Sequence, residues 1–220
     1  MRPIEMANSI ALKNYHKVLK RYTTLAIKHR NPTIVIPDCL VYRFKQNGTW
    51  KQLALICLRR EDLLNVFMEW AYDLAERNLK QKYLAYGFRW QKHTTYVNLF
   101  MYWARYLIAY DPTNYIPFGY VMFRFDFVLG HTIVNIYDLH VEEQYQRKGI
   151  GTHLMITLEV LARRFGMQLL MVAVAKKDVD LKRFLLRLGY RADSKESAKY
   201  PECEVLIAPT KCYKIINQGS

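Results

Sequence analysis

The sequence predicts a mixed α/β fold: a mostly antiparallel central sheet with one parallel pair, flanked by helices. Three observations carry that expectation. "YWARYLIAYD", "PFGYVMFRFDFV" and "TIVNIYDLHV" follow one another as aromatic and β-branched segments, with turn material at Asp111-Pro112 and Gly130-His131, and read as an antiparallel meander. The period then changes: Leu154, Leu158, Leu161 and Phe165 recur at helical spacing, which predicts a helix from about Gly149 to Phe165, stopped near Gly166. Last, "QLLMVAVA" is a continuous apolar run, the pattern of a strand covered on both faces, and strand–helix–strand order makes it parallel to the strand before the helix.

The other elements follow in order. The first thirty residues read as a basic, loosely amphipathic helix, with Leu12, Tyr15, Leu19, Tyr22 and Ile27 forming an imperfect stripe among six cations. Such a helix either packs along the main domain or serves as an electrostatic arm. "TIVIPDCLVYRFKQNGTW" suggests short extended segments turned at Asn47-Gly48. A helix is expected from about Arg60 to Lys82, where Leu63, Phe67, Trp70, Ala71 and Leu74 share a face and Asp62 lies in the first turn. After the apolar strand, Leu181, Phe184, Leu185 and Leu188 mark a helix from Asp178 to Leu188, ended by Gly189, and "CEVLIA" a last strand. The expected organisation is a basic helical arm over 1–32, a domain over 33–213 and a tail over 214–220.

Composition narrows the partners. The 220 residues are 51% hydrophobic and carry a net charge of +14, which favours anionic partners such as nucleic acid, chromatin or a phosphate-rich cofactor. No apolar run is long enough to span a bilayer, and no signal peptide is recognisable, so no membrane association is expected. Cys39, Cys57, Cys203 and Cys212 lack metal-ligand spacing and read as reduced, largely buried thiols, with no metal expected.

The most specific signal is Gln146-Arg147-Lys148-Gly149-Ile150-Gly151, between a predicted strand and a predicted helix. A helix mouth leaves amide donors unpaired at the positive end of its dipole. Glycines bare those donors and two cations add charge, which together make an anion cradle. The P-loop and dinucleotide patterns are both absent.

The loop matches the Q/R-x-x-G-x-G/A pattern that holds the acetyl-CoA pyrophosphate in the GNAT acetyltransferases, and "FLLRLGY" follows at the spacing of that superfamily. Within it, "WAYDLAERNLKQKY", "GFRW", "YLIAYD", "FRFD", "YDLHV" and "QRKGIG" resemble, in order and spacing, the D-type N-terminal acetyltransferases, over about Cys57 to Ile207. The resemblance implies the GNAT acyl-CoA N-acyltransferase fold, acetyl-CoA as co-substrate, and the N-terminal serine amine of histone H4 and the 2A-type histone as acceptor. It implies a cytoplasmic and nuclear monomer that binds histone tails; the basic charge separately suggests nucleosome or ribosome association through the surface.

Residue by residue, the resemblance places the candidate base at Asp138, where the family has a glutamate, with Tyr137 touching the peptide. Backbone groups of Leu139, His140 and Val141 would hold the pantetheine arm, while Arg147, Lys148, Gly149, Ile150, Gly151 and Thr152 hold the phosphates and Asp178 lies near the cofactor. On the peptide side it places Tyr83, Phe88, Trp90, Asp126, Phe127, Val128, Ala173 and Cys203. An α-amine has an ordinary pKa of about 7.7–8.0, so a modest base or a water relayed to one suffices. Tyr137 and Asp138 should face opposite sides of the strand unless a bulge intervenes. The tyrosine that protonates the thiolate in many GNAT enzymes is Leu185 here.

Several positions depart from the D-type pattern. Phe88 replaces a tryptophan, Asn135 and Cys203 replace tyrosines, Ala173 a threonine and Asp178 an asparagine. The changes lie mostly on the peptide side, and leave open another N-terminus, a lysine, a small amine, or a non-catalytic binding module. A basic protein also repels a basic tail, so histone recognition would need a local acidic groove, from Asp126, Asp138, Glu202 and Glu204.

Overall fold

The structure, a computed structural model, describes residues 3–128 and 130–210, with side chains described from residue 12 onward. Cys212 and the expected tail lie outside the described residues. The elements run α1 (Pro3–Lys28), β1 (Val41–Gln46), β2 (Thr49–Arg59), α2 (Asn65–Ala85), α3 (Lys92–Leu99), β3 (Arg105–Tyr110), β4 (Pro117–Val128), β5 (His131–Val141), α4 (Ile150–Arg164), β6 (Leu169–Ala175), α5 (Val179–Arg187), β7 (Arg191–Ala192), α6 (Ser194–Ser197) and β8 (Cys203–Pro209).

The strands form one eight-stranded sheet in the order β1-β2-β3-β4-β5-β6-β8-β7. Among the described residues only β5 and β6 run parallel, across α4. The first hairpin turns at Asn47 and Gly48, whose φ values of 51° and 80° are what a two-residue turn of matching twist demands. The expected meander is β3–β4–β5, and Gly166 and Gly189 end α4 and α5 at positive φ.

Four local expectations are corrected. Residues 32–35 form a 3₁₀ turn behind Pro32, capped by Asn31, rather than a strand. Helix α2 begins at Asn65, after a 3₁₀ turn over Arg60–Asp62. Asp62 is not a helix-dipole acid; its carboxylate is held by Arg30 at 2.8 Å and Arg59 at 3.2 Å. Strand β6 alternates between covered and open residues, with Ala173 exposed, because one of its faces borders a cleft. Helix α3, a short polar segment without a clear apolar period, was not legible.

The sheet separates two cores. On one side α2 and α3 bury Met68, Ala71, Leu74 and Leu99 against Tyr106, Ile108, Tyr120 and Met122. On the other, α4 buries Leu154, Leu158 and Leu161 against Phe123, Phe125, Val134 and Ile136. Each fully buried aromatic or aliphatic side chain stabilises the fold by about 1.5–3 kcal/mol.

Helix α1 takes the first of its two expected roles and packs on this second side. Leu19, Thr23 and Ala26 are buried, and Lys20 sits 5.3 Å from the Phe127 ring centroid. Lys13, Lys17, Arg21 and Lys28 remain exposed on its outer surface. Its C-terminus is fixed from inside the sheet: buried Arg105 donates from Nη2 to the carbonyls of Ala26, Ile27 and His29 at 3.3, 2.7 and 2.7 Å. A guanidinium suits the end of a helix dipole, where carbonyls lack partners. The same burial pushes the neighbouring Cys57 thiol up to about 12, with Arg105 pulling weakly the other way.

Replacing Arg105 with methionine keeps the volume and removes the donor. The free energy of unfolding in urea should fall by about 3 kcal/mol, and α1 should lose amide-exchange protection before the sheet does.

Candidate active site

The cleft comes from strands that separate. β5 and β6 pair from Ile133–Leu169 to Ile136–Val172; beyond that point β5 continues to Val141 along β4 and β6 to Ala175 along β8, no longer paired with each other. The separation coincides with a bulge: Met122 opposes Asp138 and Phe123 opposes Ile136, so Tyr137 is an extra residue in β5. A bulge bends its strand and sharpens the twist. Between the diverging strands lies a cleft of about 1040 Å³.

The bulge also changes which way side chains face. Ile136 packs into the α4 core, and alternation sends Tyr137 to the α2 side, where its ring packs at a tilt against Trp103 with centroids 4.7 Å apart. Asp138 lies on the α2 side as well, since its charge acts on Tyr83, Tyr106 and Tyr120 there. Alternation then resumes, with Leu139 and Val141 against the α4 core and His140 buried at the edge of the Tyr120 ring. Two consecutive site residues thus share a face.

The backbone follows the same alternation. The His140 carbonyl faces β4, so close that a Cβ on Gly119 would sit 2.5 Å from it. The Glu142 amide likewise donates to Phe118 on β4. The amides and carbonyls of Leu139 and Val141 therefore point to the open edge. His140, expected to offer its backbone to a ligand, turns that backbone toward β4 instead. The Val141 carbonyl is already occupied, accepting from Gln146 at 3.0 Å and Asn78 at 3.3 Å.

At the other wall, α4 opens with Gly149 in the left-handed region (φ 83°) and no side-chain cap. The amides of Ile150, Gly151 and Thr152 therefore lack helical partners, and these residues line the cleft together with Arg147. Gly149 is needed for a reason the sequence hides: Tyr42 of β1 donates to the Lys148 carbonyl at 3.1 Å, and a Cβ on Gly149 would sit 2.2 Å from that hydroxyl. The Tyr42 ring in turn stacks on His153 of α4 at 4.7 Å. Lys148 does not escort the cleft; its ammonium donates to the Gln144 carbonyl at 2.8 Å.

The C-terminal end of α2 roofs the cleft. Tyr83 lies within α2 and not in the loop after it, and its edge contacts with Phe88 and Trp90, both at 5.7 Å, hold its ring. Phe88 and Trp90 thus stand behind Tyr83 and do not line the cleft themselves. Burial, then the charge of Asp138, pushes the Tyr83 hydroxyl up, so it remains a donor. Asp178 caps α5 through the Leu181 amide (3.1 Å) and pairs with Lys82 at 3.4 Å. Lys177 reaches back to the Tyr86 carbonyl at 2.6 Å. Glu142 accepts from Trp70 at 2.7 Å and grips Arg77 through both oxygens, at 3.0 and 2.9 Å. Asn78, Lys82, Arg77 and Lys177 were not anticipated. Asn78 and Lys82 are one helical turn apart on α2, a signal available in the spacing.

The remaining candidates are spread out. Ala173 lines the cleft, and Cys203, paired with Ala175 at the start of β8, is near enough to bear on Tyr83. Asp126, Phe127 and Val128 lie at the far end of β4, opposite His131 to Ile133, outside the cleft. Phe127 packs against His16 and Lys20 of α1. Asp126 forms an ion pair with Arg124, whose guanidinium lies 5.1 Å from the Trp103 ring, so a surface row runs from Asp126 through Arg124 and Trp103 to Tyr137. Two of the four acids expected to form an acidic groove are paired with cations: Asp126 with Arg124 and Glu204 with Lys182.

A sheet that opens between a parallel pair, beside an uncapped helix mouth, agrees with what comparison with known proteins finds. The profile of the acetyltransferase (GNAT) family matches residues 65–190. The chain belongs to that family, and its eight-stranded, mostly antiparallel sheet flanked by helices is the GNAT fold. Among solved structures it resembles Tetrahymena GCN5 (TM-score 0.55, 13% identity, covering 79% of this chain and 97% of that one). It also resembles the PaiA N-acetyltransferase of Thermoplasma acidophilum in complex with coenzyme A (TM-score 0.54, 13% identity, 71% and 98%). A nourseothricin acetyltransferase is matched over 50% of this chain and 66% of that one, at 17% identity and a TM-score of 0.41.

The two loop glycines should separate under substitution. Gly149→Ala meets both the positive φ and the Tyr42 hydroxyl, and should cost about 1–3 kcal/mol in chemical denaturation. Gly151→Ala meets only ordinary contacts, with Phe184 at 3.7 Å and Val141 at 3.9 Å. It should leave stability within about 0.5 kcal/mol.

Proposed function

We propose that the protein transfers the acetyl group of acetyl-CoA to the α-amine of a protein N-terminus. The observation that carries this reading is the open edge of β5, running from an uncapped helix mouth to a partly buried carboxylate. The amides of Ile150, Gly151 and Thr152, with Arg147, suit a pyrophosphate. The backbone groups that Leu139 and Val141 turn to the open edge suit the amides of a pantetheine arm, which would lie there as an added strand. The thioester then falls beside Asp138.

In the reaction the acceptor amine first loses a proton, and Asp138 takes it directly or through a water. Tyr137 and Tyr83 flank the approach, one at the end of the surface row and the other as a hydroxyl donor under the roof. The amine attacks the thioester carbonyl, and the coenzyme leaves as the thiol. The N-terminal serines of histone H4 and the 2A-type histone are the first acceptors to test, as the D-type resemblance implies. A second reading is favoured by the ion pairs of Asp126 and Glu204, which take two of the four expected acids away from an arginine-rich tail. It is the same transfer to a less basic N-terminus. The exposed cations of α1 would serve association with nucleosomal or ribosomal nucleic acid, in a salt-dependent manner.

Incubation with acetyl-CoA and a panel of N-terminal peptides that includes Ser-Gly-Arg-Gly tests both readings. Acetylation should appear at the α-amine, and Asp138→Asn should lower kcat by about 100-fold or more. Asp138→Glu should restore or raise activity, since it lengthens the arm toward the acceptor. No transfer to any α-amine, from protein that binds acetyl-CoA, would overturn the proposal.

A further inference from the structure

We infer that the proton acceptor of this cleft is not Asp138 alone but a pair, Asp138 and His140, that shares one proton. The inference rests on the role given to Asp138 above. His140 is 5% exposed, and its Nε2 lies 3.4 Å from Asp138 Oδ1. Among the described residues that buried nitrogen has no hydrogen-bond partner. The distance is that of an ion pair, slightly too long or too oblique for a hydrogen bond. The bulge at Tyr137 makes the encounter possible, because alternation after it puts residues 138 and 140 on one face. Tyr120 packs its ring edge-on to the imidazole at 5.5 Å and holds it there.

Electrostatics decides what lies between the two groups. A bare imidazole nitrogen and a carboxylate oxygen both present lone pairs, and in a buried setting that approach is repulsive. A proton on Nε2, brought into line by a small rotation of either side chain, turns repulsion into a charge-assisted contact. The pair then carries one negative charge, exposed at the other oxygen of Asp138, whose side chain is 23% exposed against 6% for His140. The surrounding titratable groups are Tyr83 on α2, Tyr106 on β3 and Tyr120 on β4, with Arg60 acting on Tyr106. All three phenols are pushed up, by burial first and by Asp138 next, so all three stay neutral; Asp178 bears on Tyr83 more weakly than Asp138 does.

The proton balance is simple. The acceptor ammonium gives one proton to the free Asp138 oxygen, and the pair goes from one negative charge to none. The amine lone pair forms the new N–C bond, and the C–S bond breaks with its electrons on sulfur. The second proton of the nitrogen goes to the thiolate, and the pair returns its proton to water. His140 acts through Asp138 and is a positioning residue. It offsets the charge of the carboxylate from behind and fixes which oxygen faces the acceptor.

The test uses full-length protein labelled with ¹⁵N-histidine. At neutral pH the wild type should show His140 with its proton on Nε2, in slow exchange with water. Asp138→Asn should abolish that protection or reverse the tautomer. An unprotonated Nε2 in the wild type, or one indifferent to Asp138→Asn, would overturn the pair. This readout needs no turnover, so a shared proton without transfer to any amine would overturn the function and leave the pair standing. Where transfer is observed, His140→Gln should lower kcat about tenfold and move the acidic limb of kcat/KM by about half a pH unit or more. The KM for acetyl-CoA should stay unchanged. An acidic limb that stays in place would contradict the inference; should His140→Gln fail to fold, the tautomer in Asp138→Asn decides.

Discussion

One residue too many in β5, Tyr137, set against the Met122–Phe123 step of β4, governs the geometry of the cleft. A strand that stayed in register would carry Tyr137 and Asp138 to opposite faces and continue its parallel pairing with β6. With the bulge, β5 bends where the pairing with β6 stops, and its edge is left without a partner strand. The same extra residue brings Asp138 and His140 together on the α2 side and leaves Leu139 and Val141 to hold the opposite core. An unpaired edge in the middle of a sheet is costly unless something occupies it, and an extended amide-bearing ligand is the natural occupant.

The rest of the molecule holds that opening at a fixed width. On one side Tyr42 ties β1 to the loop that opens α4 while stacking on His153 of that helix. On the other, Glu142 binds Trp70 and Arg77, and Lys177 and the Lys82–Asp178 pair join α2 to the loop before α5. Several of these contacts are charge-assisted and bridge elements far apart in sequence, so each restrains a degree of freedom that the sheet leaves open. Arg105 does the same for α1, from within the sheet.

What could be read in the sequence was local. The periods of α4 and α5, the meander, the parallel pair and the helix mouth each depend on residues a few positions apart. The bulge was less accessible, because one inserted residue inside "NIYDLHV" looks like an ordinary alternating strand. It was detectable only as a condition on Tyr137 and Asp138. Asp62 was misassigned because α2 begins only at Asn65 and one of its two partners, Arg30, is brought to it by tertiary contact. Gly149 was rightly singled out, yet half its reason lies 107 residues upstream, in Tyr42. Asn78 and Lys82 fall within the quoted segment "WAYDLAERNLKQKY" but were given no role there; they matter because α2 lies over the cleft.

Charge separates the two halves of the site. The helix-mouth end has Arg147 and open amides, whereas of the acids expected at the other end Asp126 and Glu204 are held by Arg124 and Lys182 and Asp138 faces His140. A donor rich in phosphate is therefore favoured more strongly than a basic acceptor. Hydrogen–deuterium exchange with and without acetyl-CoA tests the central claim most directly. The account predicts new protection confined to the open edge at 139–141 and the helix mouth at 149–152. Binding that leaves these two segments unprotected, or protects the face of α1 instead, would contradict it.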